Sequence, residues 1–318
     1  MIKSLSLVMY GSILALGTGP TVGGLGVDQA PSGAVVTPRG SSDDRPQIVV
    51  TTNILGDMVS ETVGQLADIE VIMPLGSDPH DFAPSARQAE AMSNADLLVT
   101  NGAGFEDGML DVIANIEDSG TPVFTFADHV DLLGIDGADE EGEDPHIWTD
   151  PSRMVVAVEA LGEELAGLDG IDGDQLARQV DDYVTQLTAL DRDMEATLAV
   201  IPDDQRVLIT NHEVFGYFAD RFDFELVGAV VPSLTTNAEA SASQIEGLAD
   251  LITTRGIPAI FAETTQSTQL ADAIAESVGQ DVQVVELYTE SLGEPGSDAA
   301  TYIQMMSTDA DLIAGALS

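Results

Sequence analysis

The sequence contains no cysteine, so disulfides, thiolate metal sites and cysteine nucleophiles are excluded together, and any bound metal must be held by nitrogen and oxygen. It is almost as poor in positive charge: ten basic residues stand against 55 acidic ones, a formal net charge of −45, and Lys3 is the only lysine. Such a chain repels the phosphates of nucleic acid, which is not an expected partner. An acidic surface of this kind suits a salty or acidic habitat, because screening relieves its self-repulsion. Long apolar runs are scarce as well. The one near the start, 5–16, follows Lys3 and is too short to span a bilayer, but it has the build of a secretory signal. Residues 1–16 are therefore read as a signal or N-terminal apolar segment of an exported chain, periplasmic or associated with the cell surface. Without a cysteine there is no lipobox for a lipid anchor.

What remains is ample for a folded protein. At 318 residues and 44% hydrophobic, the chain has room for two domains, each with its own core. Residues 17–46 are rich in Gly, Pro, Ser and Thr and read as a flexible linker. Folded structure should begin near Gln47. Short β-branched runs follow at 48–52, 69–73, 95–100 and 122–126, and Leu55, Val59, Val63 and Leu66 recur at helical spacing between the first two. A second series lies at 206–210, 225–231, 258–262 and 282–287. Between the two series, Leu176, Val180, Tyr183, Leu187, Leu190, Met194 and Leu198 step by three or four residues, the stripe of one long helix. At 1.5 Å per residue, roughly 25 residues reach nearly 40 Å. The expected fold is α/β: two lobes, each a four-stranded parallel sheet flanked by helices, joined by one long rigid helix. The boundaries are 47–173 for the first lobe, 174–200 for the connecting helix and 201–318 for the second. Such a helix disfavours large lobe closure. The acidic stretch 134–144 reads as an exposed loop.

Only four histidines occur. His80 follows Asp78-Pro79, His146 follows Asp144-Pro145, and His212 comes directly after the expected strand 206–210. Loops at the carboxyl ends of parallel strands form ligand crevices, and two facing lobes would bring three such loops together. Three neutral imidazoles and one carboxylate complete a tetrahedral zinc shell without thiolate. His129 also follows a strand, so position alone leaves it open as a ligand, although its surroundings repeat neither Asp-Pro-His pattern.

These segments carry a resemblance. Pro74-Leu75-Gly76-Ser77-Asp78-Pro79-His80-Asp81-Phe82, Asp144-Pro145-His146-Ile147-Trp148-Thr149-Asp150-Pro151 and His212-Glu213-Val214-Phe215-Gly216-Tyr217-Phe218 resemble the cluster A-I (cluster 9) solute-binding proteins, the ZnuA-like and TroA-like zinc and manganese receptors of ABC importers. Phe261-Ala262-Glu263-Thr264-Thr265 and Leu287-Tyr288-Thr289-Glu290-Ser291-Leu292-Gly293 match further. The resemblance covers 48–306 and implies metal ligation by His80, His146, His212 and Glu290, with Glu290 standing where the family usually has aspartate. It implies a supporting place for Glu263 behind the ligands. The transported ligand would be Zn2+, with Mn2+ possible. Manganese-type relatives carry glutamate where His212 stands here, and three imidazoles favour zinc; Glu213 is adjacent but out of register. The histidine-rich loop of many zinc-type relatives is replaced by the acidic stretch. The implied partners are an ABC membrane permease with its cytoplasmic ATPase, and the receptor would act as a monomer. Release would come from local movement of ligand loops, the C-terminal lobe being the more mobile. Because imidazole must be deprotonated to ligate, affinity should fall as pH drops through about 6.

Two other classes compete. A zinc hydrolase would use a metal-bound water with Glu290 or Glu213 as base, but no His-Glu-x-x-His is present, and the chain is read as a non-enzyme. A surface adhesin, a role described for several relatives, has no repeat to support it here.

Overall fold

The first strand among the described residues is β1 (Gln47–Val50), in a computed structural model that describes residues 45–134, 142–279 and 282–318. The apolar leader 1–16, nearly all of the linker 17–46 and most of the acidic stretch 134–144 lie outside the described residues. Strand β1 pairs in parallel with β2 (Asp68–Val71) and β3 (Leu97–Thr100), and β3 pairs with β4 (Val123–Thr125), giving the order β2-β1-β3-β4. The second sheet repeats that order as β6-β5-β7-β8, from β5 (Val207–Thr210), β6 (Glu225–Ala229), β7 (Ala259–Glu263) and β8 (Gln283–Leu287). All eight strands fall within or next to the runs expected from sequence.

Helix α1 (Asn53–Val63) starts at Thr52, whose side chain accepts the N–H of Leu55, and ends at Gly64, whose φ of +57° no side-chain-bearing residue adopts easily. Leu66, expected on this helix, therefore lies past its end. Helices α2 (Ala86–Ser93) and α3 (Leu110–Asp118) cover one face of the first sheet, and α4 (Pro151–Leu165) opens with Asp150 as cap and proline in its first turn. The long helix is α5 (Gly173–Leu198), 26 residues, capped by Asp172. It is followed by α6 (Gly216–Phe222), α7 (Ala242–Arg255), α8 (Gln269–Val278) and α9 (Tyr302–Leu317). Among the described residues no helix is long and apolar enough to cross a membrane.

Each lobe has an outer core of its own, and the two also share an inner one. Strand side chains alternate between faces. Val49 and Leu98 point to an outer core with Met92 of α2 and Ile116 of α3, whereas Ile48, Val50, Leu97 and Val99 point inward. In the second sheet Ile209 and Ile260 join α7 and α8, whereas Leu208, Ala259 and Phe261 point inward. Both inner faces meet one continuous core that includes Leu187 and Leu190 of α5 and Tyr302, Met305 and Ile313 of α9. Helix α9 packs on α5, β8 and α1, so the chain's last helix touches elements of both lobes.

Candidate metal centre

The four predicted ligands lie beyond or between these elements, in loops whose positions the sheets fix. His80 follows β2, His212 stands two residues past β5, Glu290 three past β8, and His146 immediately precedes a 3-10 turn (Ile147–Thr149) that leads into α4. The structure brings all four together: one donor atom from each lies within 4.8 Å of the others. Nε2 of His80, His212 and His146 lie 3.0, 3.3 and 3.8 Å from Glu290 Oε1, and the His212 and His146 Nε2 atoms are 3.3 Å apart. Donors about 2.0–2.1 Å from a tetrahedral zinc would sit about 3.3 Å from one another, so these separations fit a single small cation.

Burial sharpens the fit. His80 is 2% exposed, Glu290 1% and the other two histidines 0%. Both ring nitrogens of His80 and both carboxylate oxygens of Glu290 lack a hydrogen bond, because the 3.0 Å contact between them has the wrong angles for one. Unpaired buried polar groups cost several kcal/mol in an apolar setting, and a shared cation removes that cost.

Two of the three rings are aimed by hydrogen-bonded carboxylates. Asp144 Oδ1 accepts the His146 backbone N–H at 2.9 Å and sits 2.8 Å from its Nδ1, which turns Nε2 toward the cluster. Glu263, at the end of β7, does the same for His212: Oε1 is 2.5 Å from Nδ1 and accepts the backbone N–H at 3.2 Å. Its other oxygen accepts the Thr289 hydroxyl at 2.9 Å, one residue before Glu290. Trp148 donates from Nε1 to Thr289 O at 2.7 Å, and Asn53 Oδ1 accepts the N–H of Leu292 at 2.8 Å. Phe105 meets the His80 and His146 rings edge-on at 5.1 and 5.8 Å and closes the apolar side. It is presented by a turn in which Gly102, Ala103 and Gly104 all have positive φ, and the buried Glu106 carboxylate ties that turn to Thr51 and the N–H groups of Asn101 and Gly102.

The electrostatics favour positive charge at the centre. Burial opposes the charged form of His212, but Glu263 and Glu290 outweigh it and raise its pKa to about 10. Burial likewise pushes Glu290 upward, yet His212 and His80 overcome it and hold the carboxyl well below the usual range. His146 is lowered by burial, partly offset by Asp144.

His129, left open by position, is not in the cluster: its ring stacks on Phe124 at 4.5 Å. Sequence reading passed over Asp144, Trp148 and Phe105 as supports of the site. The repeated Asp-Pro-His was a signal for Asp144, since an aspartate two residues ahead caps the histidine N–H, whereas nothing local marked Phe105.

The chain is similar to known proteins over most of its length. A family model described as ZnuA, zinc-uptake complex component A periplasmic, matches residues 48–316. The manganese-binding lipoprotein MntA of Halalkalibacterium halodurans is 28% identical over 281 residues, covering 88% of this chain and 91% of its own length. The zinc-binding protein TroA of Treponema pallidum is 29% identical over 282 residues, covering 87% and 91%. A solved structure of the periplasmic zinc-binding protein TroA from Treponema pallidum matches with a TM-score of 0.80 at 29% identity, covering 86% of this chain and 99% of that one.

Proposed function

We infer the function from one premise: this chain belongs to the ZnuA family of periplasmic zinc-uptake components. It is a metal-binding substrate-binding protein of an ABC transporter, with a site of three histidines and a glutamate that can hold a metal ion. Within that frame, the transported ion is zinc, held by His80, His146, His212 and Glu290 and passed to a membrane permease with its cytoplasmic ATPase. The observation that carries this reading is the convergence of four buried donors, two of them without hydrogen bonds, within 4.8 Å of one another. Three imidazoles favour zinc over the harder manganese. With four protein donors no position is left for a reacting water, which suits carriage rather than hydrolysis. The protein works outside the cytoplasm as a monomer, as its periplasmic and lipoprotein relatives' names suggest for its location.

A manganese reading draws on the 28% identity to a manganese-binding lipoprotein. Metal analysis of protein purified without added metal separates the two. Zinc is expected at one ion per chain, and His212→Glu should shift the content toward manganese. Manganese in the unaltered protein would overturn the zinc assignment, and no bound metal at all would overturn the site.

A further inference from the structure

All four candidate ligands are sealed from solvent, so a cation cannot reach them unless something opens. Two sets of hydrogen bonds join the lobes around the site. The inner set is buried: Trp148 Nε1 to Thr289 O, Leu292 N to Asn53 Oδ1, and the Tyr302 hydroxyl to Trp148 O at 2.7 Å. The outer set is half-buried and converges on the His80 turn. Asp78 Oδ2 accepts the Thr236 hydroxyl and Gln266 Nε2, each at 2.6 Å, and Asn237 Nδ2 donates to His80 O at 3.1 Å. Thr236 and Asn237 follow β6 and Gln266 follows β7, so these three donors come from the second lobe, while the Gly76 N–H at the start of the same turn donates to Ser291 Oγ at 2.8 Å.

The two Asp-Pro-His turns use the same local geometry for different ends. In both, the aspartate caps the histidine N–H at 2.9 Å. Asp144 also braces the ring of its own histidine. Asp78 makes no bond to the His80 ring, whose Nδ1 has no hydrogen-bond partner, and its second oxygen goes across the cleft. His146 is thus aimed from within its own lobe, whereas the backbone of His80 is gripped by the opposite one.

Resting on the reading of His80 as a metal ligand, we propose that Asp78 is a positioning residue that makes presentation of His80 conditional on docking of the second lobe, through Thr236 and Gln266. His80 is then the ligand that joins last and leaves first. Breaking the bonds to Asp78 and His80 loosens that end of the turn, which then stays tied at Gly76 to Ser291, while the buried inner set keeps the lobes together.

The test is the rate at which zinc passes from the full chain to an excess of a chromophoric chelator, measured by stopped flow. The variants are Thr236→Val, Gln266→Leu, their combination and Thr236→Ser, with association rates and metal-free melting temperatures recorded beside them. Two lost bonds to a carboxylate should speed zinc loss about tenfold or more in the double variant. Association rates and metal-free melting should stay near wild type, and Thr236→Ser, which keeps the hydroxyl, should stay within about twofold of wild type. An off-rate in the double variant within about twofold of wild type overturns the proposal. So does a Thr236→Ser variant as fast as Thr236→Val, or a faster off-rate matched by an equal loss of metal-free stability. A wild-type chain that takes up neither zinc nor manganese overturns the ligand reading first, and is recognised before any off-rate is measured.

Discussion

The two lobes share a strand order but brace their histidines differently. In the first lobe, His146 is held by Asp144, two residues away in its own turn. In the second, His212 is held by Glu263, which arrives from a neighbouring strand and also grips Thr289 beside Glu290. A local brace serves one ligand. A brace from the sheet serves two at once, so the second lobe should lose more when its carboxylate is neutralised.

The largest effect tests whether both lobes contribute ligands at all. Four-ligand zinc sites bind with about 10–16 kcal/mol, so removing one donor should cost on the order of a hundred- to a thousandfold in affinity. His212→Ala and His146→Ala should fall in this range alike in competition titrations; a weak effect from either would remove its lobe from the site. Next come the braces. Loss of such support typically costs 10–100-fold, and we expect Glu263→Gln near the upper end and Asp144→Asn near the lower. The reverse order, or equality, would undo the contrast between a sheet-borne and a local brace.

A smaller effect concerns how the lobes are pinned together. Asp57 of α1 accepts the N–H of Tyr302, at the start of α9, at 2.8 Å. Burial raises its carboxyl from 3.8 to about 6, against the lowering effect of that bond. A carboxyl raised in the folded state contributes stability that is fully present below the unfolded pKa and is lost as pH rises through the folded one. Asp57→Asn keeps the acceptor, so denaturant melts should find it about 1–2 kcal/mol more stable than wild type at pH 7.5 and no different at pH 3.5. Equal stabilities at both pH values would argue against the shift. The smallest effect is shared by both lobes: melting temperature should rise with sodium chloride as the screening length shrinks from about 30 to about 3 Å, and a flat response would detach the −45 charge from stability.

Much of this was legible in the sequence because strand and helix periodicity are local properties. The apolar stripe from Leu176 to Leu198 fell on α5, and the eight β-branched runs fell on the eight strands. The ligand set was legible from the motifs around His80, His146, His212 and Glu290 that resemble a known family, since position after a strand left His129 equally open. What escaped depends on distant partners. The inward and outward faces of Ile48 and Val49 alternate in any strand, but the common core they help build appears only once α9 folds back onto α5 and α1. The Trp148–Thr289 bond joins residues 141 apart, and no window of sequence contains it.

That common core has a consequence for anyone wishing to dissect the molecule. Cut at the long helix, each half would show water an oily wall meant for its sibling, and would clump or melt when made by itself. Produced side by side, the halves should find each other and rebuild the whole, so this receptor is better thought of as one body with a seam than as two beads on a string.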